Sequence, residues 1–439
     1  MPFAHTLSAT QALSLMQAGQ LTSEALVQAC LQQITRREAH VHAWQYLDAE
    51  AALHAARACD AQRRMGAPCG TLHGLPVAMK DNIDTQTMPT TYGSPLYAGH
   101  QPARDATVVS QLRAAGAIVL GKTVSTEFAY YTPGPTHNPH RRGHTPGGSS
   151  SGSAAAVAAG MVPLALGTQT NGSVIRPAAF CGVLGYKPAR GQIAREGVLT
   201  TSHTLDQVGF FARTLDDLAL LTTCLAPALA APSSMQPAHL RIGRIDSPLM
   251  ARAEPVTVRL LQHTQQSLQQ AGMQVATVAL GALHLQANAL HRTIMAYEMA
   301  QSLAAERARG SAAMSAALLQ LLDQGQATSA QAYSDALHRL PELTQAMALH
   351  MAPCEVLLLP SAPGPAPEGI DSTGDPVFCS LASLLGWPAL HLPLGHDTQG
   401  LPIGVQLLAQ PGQEAALHAL ARTLLTLSGQ SQGTPIAGA

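Results

Sequence analysis

Residues 132–152 carry almost no aliphatic side chain, and the residues after them carry little else. The first stretch is built from Pro, Gly, His and Ser, which favour turns and interrupt regular ladders, so it reads as loop. It ends in Gly147-Gly148-Ser149-Ser150-Ser151-Gly152 and runs straight into an Ala-rich segment at 153–159, predicted as helix. An apolar segment at 162–167 reads as a strand, and Thr168-Gln169-Thr170-Asn171-Gly172-Ser173 follows it. A hydroxyl-rich loop is therefore clamped between elements that belong inside a core.

The flanking sequence points to layers of strands and helices. Leu75-Pro76-Val77-Ala78-Met79 is a short apolar run with Lys80 at its end. Asp105 is placed to cap a helix carrying Val108, Val109 and Leu112, with Gly116 as a left-handed stop. Ala117-Ile118-Val119-Leu120 then reads as a buried strand, and such alternation indicates an α/β core. Residues 7–66 read as helical, with Thr22-Ser23 as an N-cap. Further strand-like runs start at Leu240, Val356, Ala389 and Val405. Residues 253–350 have mostly helical periodicity, and Met295, Met299, Met314 and Met347 fall within them. Residues 226–238 and 360–367 are the expected linkers.

Composition narrows the function. Of 439 residues, 46% are apolar and 12% charged, about half the usual charged share of about 25%. A disordered chain and a coiled coil are excluded on that ground. Lys and Arg number 25 against 26 Asp and Glu, so no broad basic surface is expected for nucleic acid. Only three of the basic residues are lysines: Lys80, Lys122 and Lys187. Arginine holds its proton, so a cationic residue that serves as a general base must be one of these. The seven cysteines are scattered and include no CxxC pair, which suits a reducing compartment and argues against structural zinc. Met1-Pro2-Phe3-Ala4-His5 has neither a basic nor an apolar leader region, and a cytoplasmic location is expected. The run Ala154–Leu166 is interrupted by Gly160 and Pro163 and is shorter than the about 20 residues of a membrane span, so no membrane association is expected.

Four motifs could carry chemistry. Gly148-Ser149-Ser150-Ser151-Gly152 matches G-x-S-x-G with Ser150 central, but the approach through Arg141-Arg142-Gly143-His144-Thr145-Pro146 is no buried strand. Gly147 and Gly152 have P-loop spacing, yet Ser153-Ala154 stands where Lys-Ser/Thr is required. His137, His140 and His144 have metal-like spacing, but their loop is Pro-rich and brings no carboxylate. The fourth constellation is Lys80, the loop 147–153 and Asn171-Gly172-Ser173. A serine nucleophile needs a proton acceptor within reach. A buried lysine can be that acceptor, because desolvation favours its neutral form, and a second serine can relay the proton. Gly172 lets successive amides converge as an oxyanion hole.

Taken together, the motifs resemble the amidase signature family. The resemblance begins at Gly74-Leu75-Pro76-Val77-Ala78-Met79-Lys80-Asp81-Asn82 and continues through Ala117–Thr123 and Gly147–Ala158. It is most specific in Gly167-Thr168-Gln169-Thr170-Asn171-Gly172-Ser173-Val174-Ile175-Arg176-Pro177, and Gly400-Leu401-Pro402-Ile403-Gly404-Val405-Gln406 is similar to the family's C-terminal strand. The resemblance implies a large mixed β-sheet flanked by helices, all within one domain spanning 1–439. Residues 1–225 and 353–439 are expected to form the α/β core, and 245–350 a mainly helical subdomain over the site. It also implies a Ser–cisSer–Lys triad. Ser173 would be the nucleophile, Ser149 the bridging serine on a cis peptide, and Lys80 the base. Ser150 would support the triad, and Thr170, Asn171, Gly172 and Ser173 would supply the oxyanion hole.

Two departures stand out. Gln169 and Asn171 occupy positions where the family commonly has Asp and Gly, and Arg176 lies one position later than the common Arg. The function expected is hydrolysis of the C–N bond of small neutral amides, and of carbamates or urethanes, through a seryl acyl-enzyme. No cofactor or metal is expected, and the chain is expected to be a monomer or homodimer acting on a small molecule. The alternative is an amidotransferase component of the A type that works with partner chains on charged tRNA.

Overall fold

A computed structural model describes residues 3–229, 239–430 and 433–438. Most of the 226–238 linker expected from sequence lies outside the described residues. The N-terminal third contains α1 (Ala9–Gln17), α2 (Ser23–Val41), β1 (Trp44–Leu47), α3 (Ala49–Arg64), β2 (Pro76–Lys80), α4 (Thr107–Ala114) and β3 (Ile118–Thr123). The middle contains α5 (Ser151–Ala158), β4 (Leu164–Gln169), α6 (Ile175–Cys181), β5 (Leu184–Lys187), β6 (Gln207–Ala212) and α7 (Leu215–Leu225). Then come β7 (Arg241–Asp246), α8 (Pro255–Gln270), β8 (Gln274–Ala279), α9 (Ala282–Ser302), α10 (Ala304–Gly310), α11 (Ala316–Ala327) and α12 (Ala330–Met351). The chain closes with β9 (Val356–Pro360), α13 (Ser380–Leu385), β10 (Ala389–His396), β11 (Pro402–Ala409) and α14 (Glu414–Leu427).

All eleven strands form one mixed sheet in the order β1-β3-β2-β4-β6-β5-β10-β11-β9-β7-β8. Strand β2 runs parallel to both β3 and β4, with Met79 opposite Leu166. That register brings the carboxyl ends of β2 and β4 to the same edge of the sheet, where open α/β sheets hold their ligands. Lys80 ends one strand and Thr168-Gln169 the other. Helix α5 packs on this part of the sheet and is buried along its whole length. Small residues make that approach possible. A Cβ built on Gly152 would lie 2.3 Å from the Ala43 carbonyl oxygen and 2.4 Å from the Val124 amide nitrogen.

The boundaries differ from the sequence reading in three places. Residues 7–66 are not continuously helical, because β1 interrupts them and pairs antiparallel with β3. Four residues between two Ala-rich helices give little local signal, and the ladder partner decides. Asp105 does not cap α4. Its carboxylate takes the Gln86 amide at 2.7 Å and pairs with Arg113 at 3.0 Å, and Ala106 stands at the cap position. The segment expected to be helical from about 245 contains β8, which pairs parallel with β7 as the outer strand of the sheet. Strand β8 is largely exposed, so its side chains show no apolar alternation. The helical layer proper begins at Ala282. There α9, α11, α12 and α13 share a second apolar cluster containing Ile294, Met295, Met299, Leu318 and Met347.

The tight seat of α5 predicts the effect of one added methyl. Gly152→Ala is expected to lower stability by about 1–3 kcal/mol, the usual range for overpacking, read as a reduced denaturant midpoint. Gly395→Ala, whose Cβ would meet its nearest neighbour at 3.7 Å, is expected to leave the midpoint unchanged. Equal midpoints for the two variants would contradict the packing described here.

Candidate active site

All three lysines are fully buried, and their partners separate them. Lys122 faces the Asp81 carboxylate at 3.3 Å and also donates to the Ile83 carbonyl and the Thr90 hydroxyl. Lys187 donates to Gln207 Oε1, the Trp387 carbonyl and the Pro188 carbonyl, three strict acceptors. Lys80 has only hydroxyl partners, Ser149 Oγ at 2.6 Å and Thr168 Oγ1 at 2.9 Å. A hydroxyl can return a proton to nitrogen, whereas a carbonyl cannot. Burial holds the Lys80 ammonium well below the ordinary lysine range, and the more distant Asp206 carboxylate only partly opposes this. Burial lowers Lys187 in the same way, but its acceptors cannot hand it a proton, so Lys80 is the lysine whose partners suit a base.

Ser149 follows the cis peptide Gly148-Ser149. Ser150 is fully buried, and its hydroxyl bonds the Thr168 backbone, donating to the carbonyl at 3.2 Å and accepting from the amide at 3.3 Å. It braces the strand end that holds Lys80. A nucleophile elbow needs an exposed hydroxyl, so the G-x-S-x-G reading fails at Ser150. Two of the three loop histidines have ordinary duties: His140 bonds the Cys181 carbonyl and His137 accepts from the Gly143 amide, while the buried Nδ1 of His144 has no partner among the described residues. Among the described residues no group of three potential metal ligands occurs.

Ser173 sits between β4 and α6. Its hydroxyl has no hydrogen-bond partner among the described residues, and it lines a cavity with Tyr131, Asn171, Arg176, Met295 and Met299. The structure joins Lys80 to Ser149 but closes no bond from either to Ser173. The two loops are stitched one residue away, where Arg176 Nη2 donates to the Gly148 carbonyl at 2.8 Å. The cavity is small, about 20 Å³, room for about one water.

The loop 169–175 is braced from several sides. Gln169 Oε1 accepts the amides of Val174 and Ile175 at 2.9 and 3.0 Å, and its Nε2 donates to Ser383. Asn171 Oδ1 accepts from Ser380, its carbonyl accepts from Ser383, and its Nδ2 donates to Tyr131. The two sequence departures are therefore the loop's own braces. Thr170 donates to the buried Asp206 carboxylate at 2.5 Å, and its carbonyl faces His291 at 2.9 Å. With Val174 and Ile175 occupied, the amides of all four expected residues, Thr170, Asn171, Gly172 and Ser173, have no protein acceptor among the described residues. Convergent amides of this kind can hold a developing oxyanion.

Sequence reasoning left out Thr168, Asp206 and His291. Thr168 lay inside the quoted run and could have been weighed. Asp206 and His291 come from segments that local pattern does not connect to the site, and His291 is one of 19 histidines.

Comparisons with known proteins bear on the family and the fold. The sequence pattern of the amidase family matches residues 25–418. A glutamyl-tRNA(Gln) amidotransferase chain of the A type, from Chloroflexus aggregans, is 33% identical, over 94% of each chain. The native peptide amidase of Stenotrophomonas maltophilia superposes with a TM-score of 0.82 at 29% identity, over 98% of each chain. A structure of a vestigial protein complex described as revealing the origins of an s-triazine catabolic enzyme superposes with a TM-score of 0.88 at 25% identity, covering 99% of this chain.

The geometry predicts where a covalent probe lands. A fluorophosphonate or sulfonyl fluoride is expected to modify Ser173, identified by peptide mass spectrometry. Modification of Ser150 instead would contradict this reading. By its motifs, its sheet and its relatives, the chain belongs to the amidase signature family.

Proposed function

We propose that this protein hydrolyses the C–N bond of small linear amides, and of carbamates, through an acyl-enzyme on Ser173. The observation that carries the reading is the bond between a buried, carboxylate-free Lys80 and Ser149. Neutral Lys80 takes a proton from Ser149 as Ser149 takes one from Ser173. The Ser173 oxygen bonds to the carbonyl carbon, and amides of the Thr170-Asn171-Gly172-Ser173 loop receive the oxyanion. As the C–N bond breaks, the proton held on Lys80 returns through Ser149 to the leaving nitrogen. Water then repeats the sequence against the ester, freeing the acid and restoring Ser173.

The acyl side of the substrate follows from Arg176. The expectation of a neutral acyl group rests on the lack of an arginine cluster in 245–350, and on Arg141-Arg142 facing solvent. Arg141 and Arg142 are exposed. Arg176, however, lies in the first turn of α6, directly after the loop bearing Ser173, and is only 1% exposed. Its Nη2 is taken by Gly148 and Thr373, while Nε and Nη1 have no partner, and Asp375 pairs with Arg252 instead. The Tyr131 ring, its centroid 5.6 Å away, and the Asp375 carboxylate only partly offset the burial of this guanidinium, and an incoming anion would offset it further. Beside the neutral acyl group stands a second reading, an acyl group that carries a carboxylate.

The amidotransferase reading draws on the relative from Chloroflexus aggregans. A net charge of −1 gives the chain no general attraction to tRNA. The assay that tests substrate choice also tests this alternative, because it uses the isolated chain. A short ω-carboxylated anilide is expected to exceed its neutral analogue at least tenfold in kcat/KM, or about 1.4 kcal/mol in transition-state binding. Equal rates would support the neutral acyl group. No turnover of any anilide, ester or carbamate by the isolated chain would favour the partner-dependent reading.

A further inference from the structure

His291 lies near the middle of α9 and is fully buried. Its Nε2 is 2.9 Å from the Thr170 carbonyl oxygen, and its Nδ1 has no partner. A carbonyl oxygen only accepts, so Nε2 carries the hydrogen and donates it. Burial pushes the imidazole down to about 4, so it stays neutral at ordinary pH and cannot act as a charge. What it contacts is one end of a peptide unit. The carbonyl of Thr170 and the amide of Asn171 belong to the same rigid plane and point in opposite directions. Fixing the oxygen therefore fixes the N–H, and Asn171 is one of the four loop amides without a protein acceptor among the described residues.

The same helix face reaches the cavity. His291, Met295 and Met299 are spaced by four residues and so lie along one side of α9. Met295 and Met299 line the cavity beside Ser173. The loop's other braces, at Asp206, Tyr131, Ser380 and Ser383, come from outside α9.

We propose that His291 is a positioning residue for the oxyanion hole, and that it ties the Thr170–Asn171 peptide to the helix face that meets the substrate. The inference rests on the acyl-enzyme reading above and adds a residue that the triad does not contain. His291 touches no reacting atom. Without its donor the peptide plane is free to rock, and the Asn171 amide no longer stays aimed at the point where negative charge develops. Such a loss acts on the transition state and leaves ground-state binding in place.

The test compares His291→Leu, which fills similar space without a donor, with His291→Gln, whose amide can donate to the same carbonyl. With an amide substrate, His291→Leu is expected to lower kcat at least tenfold with KM within twofold. Losing one oxyanion donor outright typically costs about 10²–10³ in kcat. A trifluoromethyl ketone, which forms an oxyanion on Ser173, is expected to weaken by the same factor as kcat/KM. The matching secondary alcohol, which forms none, is expected to bind unchanged. His291→Gln is expected to recover most of the loss. Equal weakening of ketone and alcohol would mean general damage to the pocket and would overturn the proposal, as would an unchanged kcat in His291→Leu. Failure of the acyl-enzyme reading would show separately, as absence of any ketone adduct on Ser173 in the unaltered protein.

Discussion

The site depends on a lysine that has been taken out of water and given no counter-ion. Lys80 ends a buried strand, and its nitrogen meets only two hydroxyls. An ammonium in that place would have lost its hydration without a carboxylate in return, so the neutral amine is favoured. The contrast with Lys122 is instructive. Lys122 is equally buried, but Asp81 stands beside it, and burial lowers its pKa only to about 8. The two lysines differ less in burial than in what faces them. The proton chemistry assigned to Ser149 and Ser173 follows from that difference.

A neutral base is useful only if the rest of the site is rigid. The loop after β4 reaches that state through side chains that bond its backbone. Gln169 takes two amides at the start of α6, and α13 supplies two serines to Asn171 and Gln169. The Gln169 side chain both accepts these amides and donates to Ser383, which a carboxylate could not do. Arg176 closes the arrangement by holding the Gly148 carbonyl, which ties α6, the helix after the Ser173 loop, to the loop bearing Ser149. Its Nε and Nη1 have no partner among the described residues, and the proposal of an acid group on the substrate rests on them.

Much of this was legible in the chain itself. The scarcity of lysine singled out three candidates, and the run Leu75–Met79 indicated a strand that delivers Lys80. The glycine and serine positions of 147–152 and 167–173 carried the family resemblance. What stayed hidden has a common physical cause. Strands β1, β6 and β8 depend on ladder partners distant in sequence, and β8 is an exposed outer strand with no alternation to detect. His291 and Asp206 act through single hydrogen bonds across the fold, to a carbonyl and a hydroxyl of Thr170. No spacing rule links residues 206 and 291 to residue 170. Arg176 was visible, but its meaning lay in which donors remain unpaired, and that is a property of the packed state.

The central claim is that Lys80 is neutral when it works, and the pH dependence of Ser173 sulfonylation in the unaltered protein tests it most directly. The account predicts a single rise in rate with pH that levels off well below the ordinary lysine value of about 10.4. A rate that keeps climbing to that value, or one that does not change with pH, would contradict it.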